Sequence, residues 1–328
     1  MKDKAIAYIV IQTLFIFACS FEKKYEKGCI PLDEYVYTGG KCSGIDVTAG
    51  INPYDNSTII ANVNSYKYFI SSDSGVTWEE TNLDKLLPFG VSTEGYHPQN
   101  KNIIYRPGHN GRNYGDIELS IDGGDTWEKR NSFLKGTNTK IHLRHIYYHP
   151  VNPNTIYVLA SNLLTNTSSL YVSDDSGDSF TLSLDVHNPK LAISRSDPNI
   201  MYALAARGGN LYKSIDEGNT WELVLDGPKV KNIVQNNSKE KLSGSDSMWL
   251  AVHPTNPDIV YVLKQIGIMK TSDGGRNWCM IPTPNLTRTL NHIFIDPNDS
   301  SVIFVSSRCG LFKSSNNGMS WEGVNIHK

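Results

Sequence analysis

The sequence has no excess of charge. Its 31 Lys and Arg face 33 Asp and Glu, for a net charge of −2, and no long run of one sign interrupts the balance. A nucleic-acid-binding chain shows a basic excess, and an interaction tail shows a run, so the balance argues against both. Cysteine is scarce. Cys19, Cys29, Cys42, Cys279 and Cys309 stand at spacings that fit no zinc pattern, so neither a metal nor a cofactor is expected. Long apolar runs are missing after the first. That run, Ala5 to Ala18, is broken mainly by Gln12 and Thr13 and is shorter than the ~20 residues of a membrane span. With Lys2 and Lys4 before it, it has the layout of an export signal. A polar stretch follows, with Glu22, Lys23, Lys24, Glu26 and Lys27 and no sustained period. The remaining composition, 39% hydrophobic and 20% charged, is that of an ordinary folded protein.

What is present in abundance is repetition. Ser71-Ser72-Asp73-Ser74-Gly75-Val76-Thr77-Trp78 recurs as Ser120 to Trp127, Ser173 to Phe180, Ser214 to Trp221, Thr271 to Trp278 and Ser314 to Trp321. The acidic column is Asp73, Asp122, Asp175, Asp216 and Asp273, with Asn316 in the sixth copy. Upstream of each copy lies a Pro/Asn-rich turn between β-branched, Tyr-containing runs. His149-Pro150-Val151-Asn152-Pro153 before Ile156-Tyr157-Val158-Leu159 is one case, and His253-Pro254-Thr255-Asn256-Pro257 before Ile259-Val260-Tyr261 is another. Turn signals at this spacing read as strand–turn–strand. Each unit thus contains four strands, in the third repeat His142–Tyr148, Thr155–Ala160, Ser169–Val172 and Ser179–Leu184. The prediction is an all-β, six-bladed propeller over residues 43–326, with the Ser-x-Asp motif turning strand three into strand four.

The motif resembles the Asp box (BNR repeat) of sialidases, sortilin-like receptors, xyloglucanase-type glycosidases and photosystem-II assembly propellers. That resemblance implies the fold but no single function, since those families act differently on one scaffold. An Asp carboxylate in such a turn accepts backbone N–H bonds, the Gly column suits positive φ, and the Trp column buries a ring against the turn. Because the box recurs in every blade, it reads as structural; an active site needs one asymmetric constellation.

In an antiparallel four-stranded blade the 1–2 and 3–4 turns share one face. The other face carries irregular loops, where binding usually sits. Arg112, Arg207 and Arg308 fall on those loops. Aligned on the His-Pro turns, the inner strands supply one largely polar column, Thr48, Thr93, His145, Lys190, Trp249 and His292, near the irregular face. Trp249 is the one tryptophan outside a box. These residues either form a ligand site or pack between blades. Arg112, Arg207, Arg308, His145, Lys190, Trp249 and His292 are the candidate binding residues for an acidic or glycan ligand, or for a partner protein.

The alternative is a glycoside hydrolase. The sialidase resemblance implies an arginine triad, for which Arg112, Arg207 and Arg308 are the candidates, but the Arg-Ile-Pro signature is absent and Arg106-Pro107 substitutes poorly. The xyloglucanase resemblance lies around Ala61-Asn62-Val63-Asn64. Asn64 stands where that family tends to carry Asp, and an amide is no general base. That family completes its cleft with a second propeller, for which this sequence offers no residues. Glu94 and Asp46 are candidate paired carboxylates. No catalytic residue is assigned, and a monomer is expected.

The apolar run ends Ile16-Phe17-Ala18-Cys19, which resembles a bacterial lipobox. Residues 1–18 then form a signal, Cys19 carries lipid, and 19–42 tether an exported, membrane-anchored protein, with the outer membrane favoured. An ordinary signal peptide is the other reading. In the exported setting one N-terminal cysteine, Cys29 or Cys42, is expected to bond Cys309 and close the ring, with Cys29–Cys42 as the rival pairing.

Overall fold

The computed structural model describes residues 29–32, 34, 47–51, 57–64, 67–81, 97, 99–100, 102–107, 117–130, 141–162, 164–165, 167–237, 249–264, 266–284 and 290–326. The two-residue strand β1 (Ile30–Pro31) precedes the ring. Blade one is β2 (Val47–Ile51), β3 (Ile59–Val63), β4 (Lys67–Ser71) and β5 (Glu79–Thr81). Blade two shows β6 (Ile104–Pro107), β7 (Ile117–Ser120) and β8 (Glu128–Lys129). Blade three is β9 (Ile141–Tyr148), β10 (Ile156–Asn162), β11 (Thr167–Ser173) and β12 (Thr181–Leu184). Blade four is β13 (Lys190–Ile193), β14 (Met201–Leu204), β15 (Leu211–Ser214) and β16 (Glu222–Leu225), followed by the helix α1 (Gly227–Asn237). Blade five is β17 (Trp249–Val252), β18 (Val260–Lys264), β19 (Gly267–Thr271) and β20 (Cys279–Ile281). Blade six is β21 (Leu290–Ile295), β22 (Ile303–Ser307), β23 (Gly310–Ser314) and β24 (Glu322–Val324). Every pairing is antiparallel between strands adjacent in sequence, except that β1 joins the outer edge of β20. The fold is an all-β six-bladed propeller whose blades are mostly four-stranded. The inner strand expected in blade two, with Thr93 and Tyr96, lies outside the described residues.

The boxes explain why the blades look alike. In blade one the Gly75 amide donates to Ser71 Oγ (2.8 Å), and the Ser71 hydroxyl donates to Asp73 Oδ1 (2.8 Å). Asp73 also accepts from the Thr77 amide (2.8 Å) and the Thr77 hydroxyl (2.6 Å). The scheme repeats at Asp122, Asp175 and Asp216, and at Asp273 with the Asn277 side-chain amide donating in place of the hydroxyl. These bonds, the hydroxyl of the fourth residue on foremost, hold the Asp73, Asp122 and Asp175 carboxyls down at about 2. At Asn316 the amide keeps the pattern without charge: its Oδ1 accepts from the Ser320 amide (2.9 Å) and its Nδ2 donates to the Ser320 hydroxyl (2.9 Å). Each turn contains two successive left-handed residues, such as Glu217 (φ 57) and Gly218 (φ 85). At the second, blades five and six leave no room for a side chain. A Cβ on Gly275 would stand 2.7 Å from Val224 Cβ in the preceding blade.

The box amides then tie the 3–4 turn to the 1–2 turn of the same blade. Ser74, Gly123, Ser176, Glu217, Gly274 and Asn317 donate to the carbonyls of Ser57, Asn102, Asn154, Asn199, Asp258 and Ser301. The two turns therefore share one face in all six blades, and the 2–3 turns lie opposite. Neighbouring blades are joined by tyrosines of the second strand. Tyr105, Tyr157 and Tyr202 each send a hydroxyl to a carbonyl in the next blade, at Ser176, Glu217 and Pro257 (2.9–3.0 Å). Blade six carries Phe304 at that position, and it packs with Val47, Ile59, Trp78 and Leu311 in the cluster between the last blade and the first. Asn291 Nδ2 also donates to the Val47 carbonyl (3.1 Å) across this seam.

The histidines of the His-Pro turns turn out to be structural caps. His149 Nδ1 accepts the amides of Val151 (3.2 Å) and Asn152 (2.8 Å), and His97 Nδ1 accepts those of Gln99 and Asn100 (both 3.1 Å). Asp296 does the same in blade six through Oδ1, and Ser194 through Oγ in blade four. An imidazole nitrogen that accepts amide bonds must be unprotonated. Burial pushes the His97, His149 and His253 pKa values below 6.5. The unfolded chain therefore binds more protons than the folded one as pH falls through about 6.5. Stability should hold above that pH and decline below it. A calorimetric melting temperature that drops several degrees between pH 7.5 and 5.5, and drops less in His149→Asn, is expected. A flat profile would contradict the capping role.

Candidate functional site

A disulfide anchors the N-terminal segment to blade five. Cys29 bonds Cys279, with Cα atoms 5.5 Å apart. The expected pairings of Cys29 with Cys309 or Cys42 are thereby corrected. The physical reason is β1, whose Ile30 and Pro31 register on Met280 and Cys279 and so bring Cys29 to the outer strand of blade five. Cys309 is also disulfide-bonded, and its partner lies outside the described residues, as do Cys19 and Cys42.

On the irregular face the inner column is continuous across four blades. Lys190 Nζ lies 3.1 Å from His145 Nε2, and the same ammonium lies 4.4 Å from the centre of the Trp249 ring. Trp249 is in turn 4.1 Å from the His292 ring, centroid to centroid, tilted by 38°. All four side chains are half-buried. Lys190 and Trp249 open β13 and β17 at the ends remote from the box turns. An ammonium has only donors, so His145 Nε2 accepts and its ring proton sits on Nδ1. Burial is the main cause that lowers the His145 pKa to about 3, helped by Lys190, Arg144 and His292. Trp249 gains a cation–π contact and an aromatic neighbour, so the row is a packed ledge. Thr48 also stands on its inner strand, opposite Asn62 of β3.

The arginines divide differently. Arg207 is exposed on the 2–3 turn of blade four, and Arg308 is exposed on the 2–3 turn of blade six, with blade five between them. Arg112 and the candidate carboxylates Glu94 and Asp46 lie outside the described residues. Arg207 stands on a braced loop. The Gly227 amide donates to Asn210 Oδ1 (2.9 Å), and the buried Lys264 ammonium donates to the Gly209 carbonyl (2.8 Å). Gly227 begins α1, where Asp226 Oδ1 caps the Lys229 amide (2.9 Å). The helical signal was Asp226 as N-cap and Pro228 in the first turn, with Val230 and Val234 four apart; both valines are buried against Leu250 and Ile266.

Arg106 is occupied. Its Nε donates to Glu118 Oε2 (2.6 Å), and its guanidinium lies 3.7 Å over the Trp127 ring. Asn64 sits at φ 55 in the 2–3 turn of blade one, a left-handed position that Asn tolerates. Among the described residues no three His, Cys, Asp or Glu side chains are grouped to hold a metal ion, and no helix is long and apolar enough to cross a membrane.

Residues 115–241 match the family described as "Sortilin, neurotensin receptor 3". Over 203 residues the chain is 27% identical to a "Probable oligoxyloglucan-reducing end-specific xyloglucanase" of Neosartorya fischeri, a match covering 57% of this chain and 23% of that protein. A xyloglucanase of a Paenibacillus species is 24% identical over 187 residues, 49% of this chain and 17% of its own length. The chain thus spans less than a quarter of the curated relatives it matches. The crystal structure of the GH74 xyloglucanase from Xanthomonas campestris superposes with a TM-score of 0.53 at 18% identity, over 88% of this chain and 46% of that one. Regucalcin, a calcium-binding protein from Agrobacterium tumefaciens, gives 0.51 at 12% identity, over 92% and 97%. The chain is a six-bladed β-propeller, similar over residues 115–241 to the sortilin family and over about half its length to xyloglucanases.

Proposed function

We propose that the chain is a non-catalytic binding propeller that takes a protein or glycan ligand on the face opposite its Asp boxes. The observation that carries this reading is the row His145, Lys190, Trp249 and His292, one residue from each of four consecutive blades. The box carboxylates are committed to their own turns. The exposed Arg207 and Arg308 stand on the row's face, on the 2–3 turns of blades four and six, and suit carboxylates or hydroxyls. Glycan-array and pull-down binding should fall at least about tenfold, ~1.4 kcal/mol, in the Arg207→Ala/Arg308→Ala double variant and in Lys190→Ala. The melting temperature of the arginine double variant should stay at its parent value. Parent-level binding by both variants would place the ligand elsewhere.

The protein is exported and held at a bacterial membrane by lipid on Cys19. This part of the reading rests on the lipobox-like end of the first apolar run, and unchanged membrane association of Cys19→Ala would overturn it. A glycoside hydrolase is the second reading, favoured by the 27% identity to a xyloglucanase. Release of reducing sugar from xyloglucan oligosaccharides would establish it over the first.

A further inference from the structure

The row at the inner strands holds an unusual pair. Two basic side chains from adjacent blades, Lys190 and His145, meet nitrogen to nitrogen at 3.1 Å. Only one of them can carry a proton in that bond, because two cations at hydrogen-bond distance repel and neither would accept. The pair therefore holds one positive charge where it has the capacity for two. Arg144 and His292, likewise cationic when protonated, also act on His145, and the Tyr147 ring lies 6.2 Å from its ring, centroid to centroid. The neighbour on the far side of Lys190 is the Trp249 ring, which the same ammonium covers at 4.4 Å. Lys190 thus closes two things at once, the imidazole and one face of the indole. Its four-carbon stem can swing without disturbing the backbone of β13.

We propose that Lys190 is a latch for a carboxylated sugar, and that binding such a sugar loads one proton onto His145. The proposal rests on the binding reading above and deepens it by naming the ligand class, a uronate-bearing glycan. A carboxylate that takes the Lys190 ammonium removes it from His145 and from Trp249. The freed Nε2 takes a proton from solvent and donates to the second carboxylate oxygen, giving two charge-assisted bonds in place of one neutral-acceptor bond. The uncovered indole face receives the pyranose ring. Burial and the cationic neighbours keep His145 neutral in the free protein, so the proton is taken up with the ligand. A sugar matches the indole and ammonium together, whereas an acidic peptide needs the ammonium alone.

Titration calorimetry with oligogalacturonate, in two buffers of different ionisation heat, tests this on the full chain. Binding should tighten by up to about tenfold per unit as pH falls from 7.5 to 5.5, with close to one proton taken up per sugar bound at the lower pH. Neutral cello-oligosaccharide of the same length should bind more weakly and without proton uptake. His145→Gln should bind oligogalacturonate no more tightly at pH 5.5 than at pH 7.5, and Trp249→Ala should lose most of the affinity. The proposal is overturned by oligogalacturonate binding without proton uptake, by no binding, by a pH slope that survives in His145→Gln, or by an oligo-aspartate peptide binding more tightly than the uronate. Those outcomes leave the broader reading standing as long as Arg207→Ala/Arg308→Ala or Lys190→Ala still weakens capture of a partner; that reading fails only when neither does.

Discussion

Phe304→Ala is expected to lower stability by about 3–5 kcal/mol, and the melting temperature by roughly 10 °C. The ring is fully buried at the seam between the last blade and the first, among Ile59, Trp78, Val302 and Leu311. It stacks on Phe294 with centroids 5.0 Å apart and planes 14° from parallel. It also lies against the first box, where a Cβ on Gly75 would come within 3.2 Å of its Cε1. At this position Tyr105, Tyr157 and Tyr202 bridge to the next blade through their hydroxyls. Phe304 has none, so its share of the seam is packing. Tyr157→Phe, which removes a hydrogen bond and keeps the packing, should cost only about 1 kcal/mol. Urea titration of the two variants separates the cases. A Phe304→Ala loss as small as that of Tyr157→Phe would mean the seam does not depend on this ring.

Cys29→Ser is expected to cost about 2–4 kcal/mol, because the bond to Cys279 constrains the unfolded chain over a sequence separation of 250 residues. Among the described residues the native contacts it guards are two pairs of β1 on β20 and the packing of Cys29 and Leu32 on the flanking apolar clusters. A two-residue strand does not hold an edge unaided. Its loss would leave β20, whose three residues are all buried, as an open edge next to apolar side chains, a template for pairing with another chain. Pro31 on β1 blunts that edge in the intact protein, since it has no N–H to offer. The variant should melt lower and self-associate on size-exclusion chromatography at concentrations where the parent does not. A parent-like melting curve and elution would show that the segment's docking is independent of the bond.

The blades were legible because their signals are local. Each strand is bounded by a turn whose chemistry is written in eight consecutive residues, and the period repeats six times, so an error in one copy is corrected by the others. Strand limits in the third repeat differ from the sequence reading by one or two residues, as at Ile156–Asn162 against Thr155–Ala160. The inner column was legible for the same reason. A period of two fixes which residues share a face, and His145, Lys190, Trp249 and His292 do meet. What sequence could not supply was pairing between distant segments. The docking of β1 on blade five depends on a two-residue strand with no period of its own. The histidine caps were hidden by residue type, since His, Ser and Asp look unrelated until each is seen to accept the same amides. The reach of Lys190, which decides whether the Trp249 face is open, is a side-chain torsion and leaves no trace in the sequence.

The closing seam also sets an order of events. Within every blade, strands pair with their sequence neighbours, so those contacts close short loops and form at little entropic cost. The contact of Asn291 with Val47 joins residues 244 apart and closes a loop that spans the ring, whose cost rises with length. Blades are therefore able to form while the molecule is still an open arc. Such an arc carries two complementary apolar ends, one around Val47 and Ile59, the other around Phe304 and Leu311. In dilute solution the ends find each other and the arc becomes a ring. At high concentration the end of one arc meets the other end of a second molecule equally well, and the same contact that completes the monomer then builds exchanged chains.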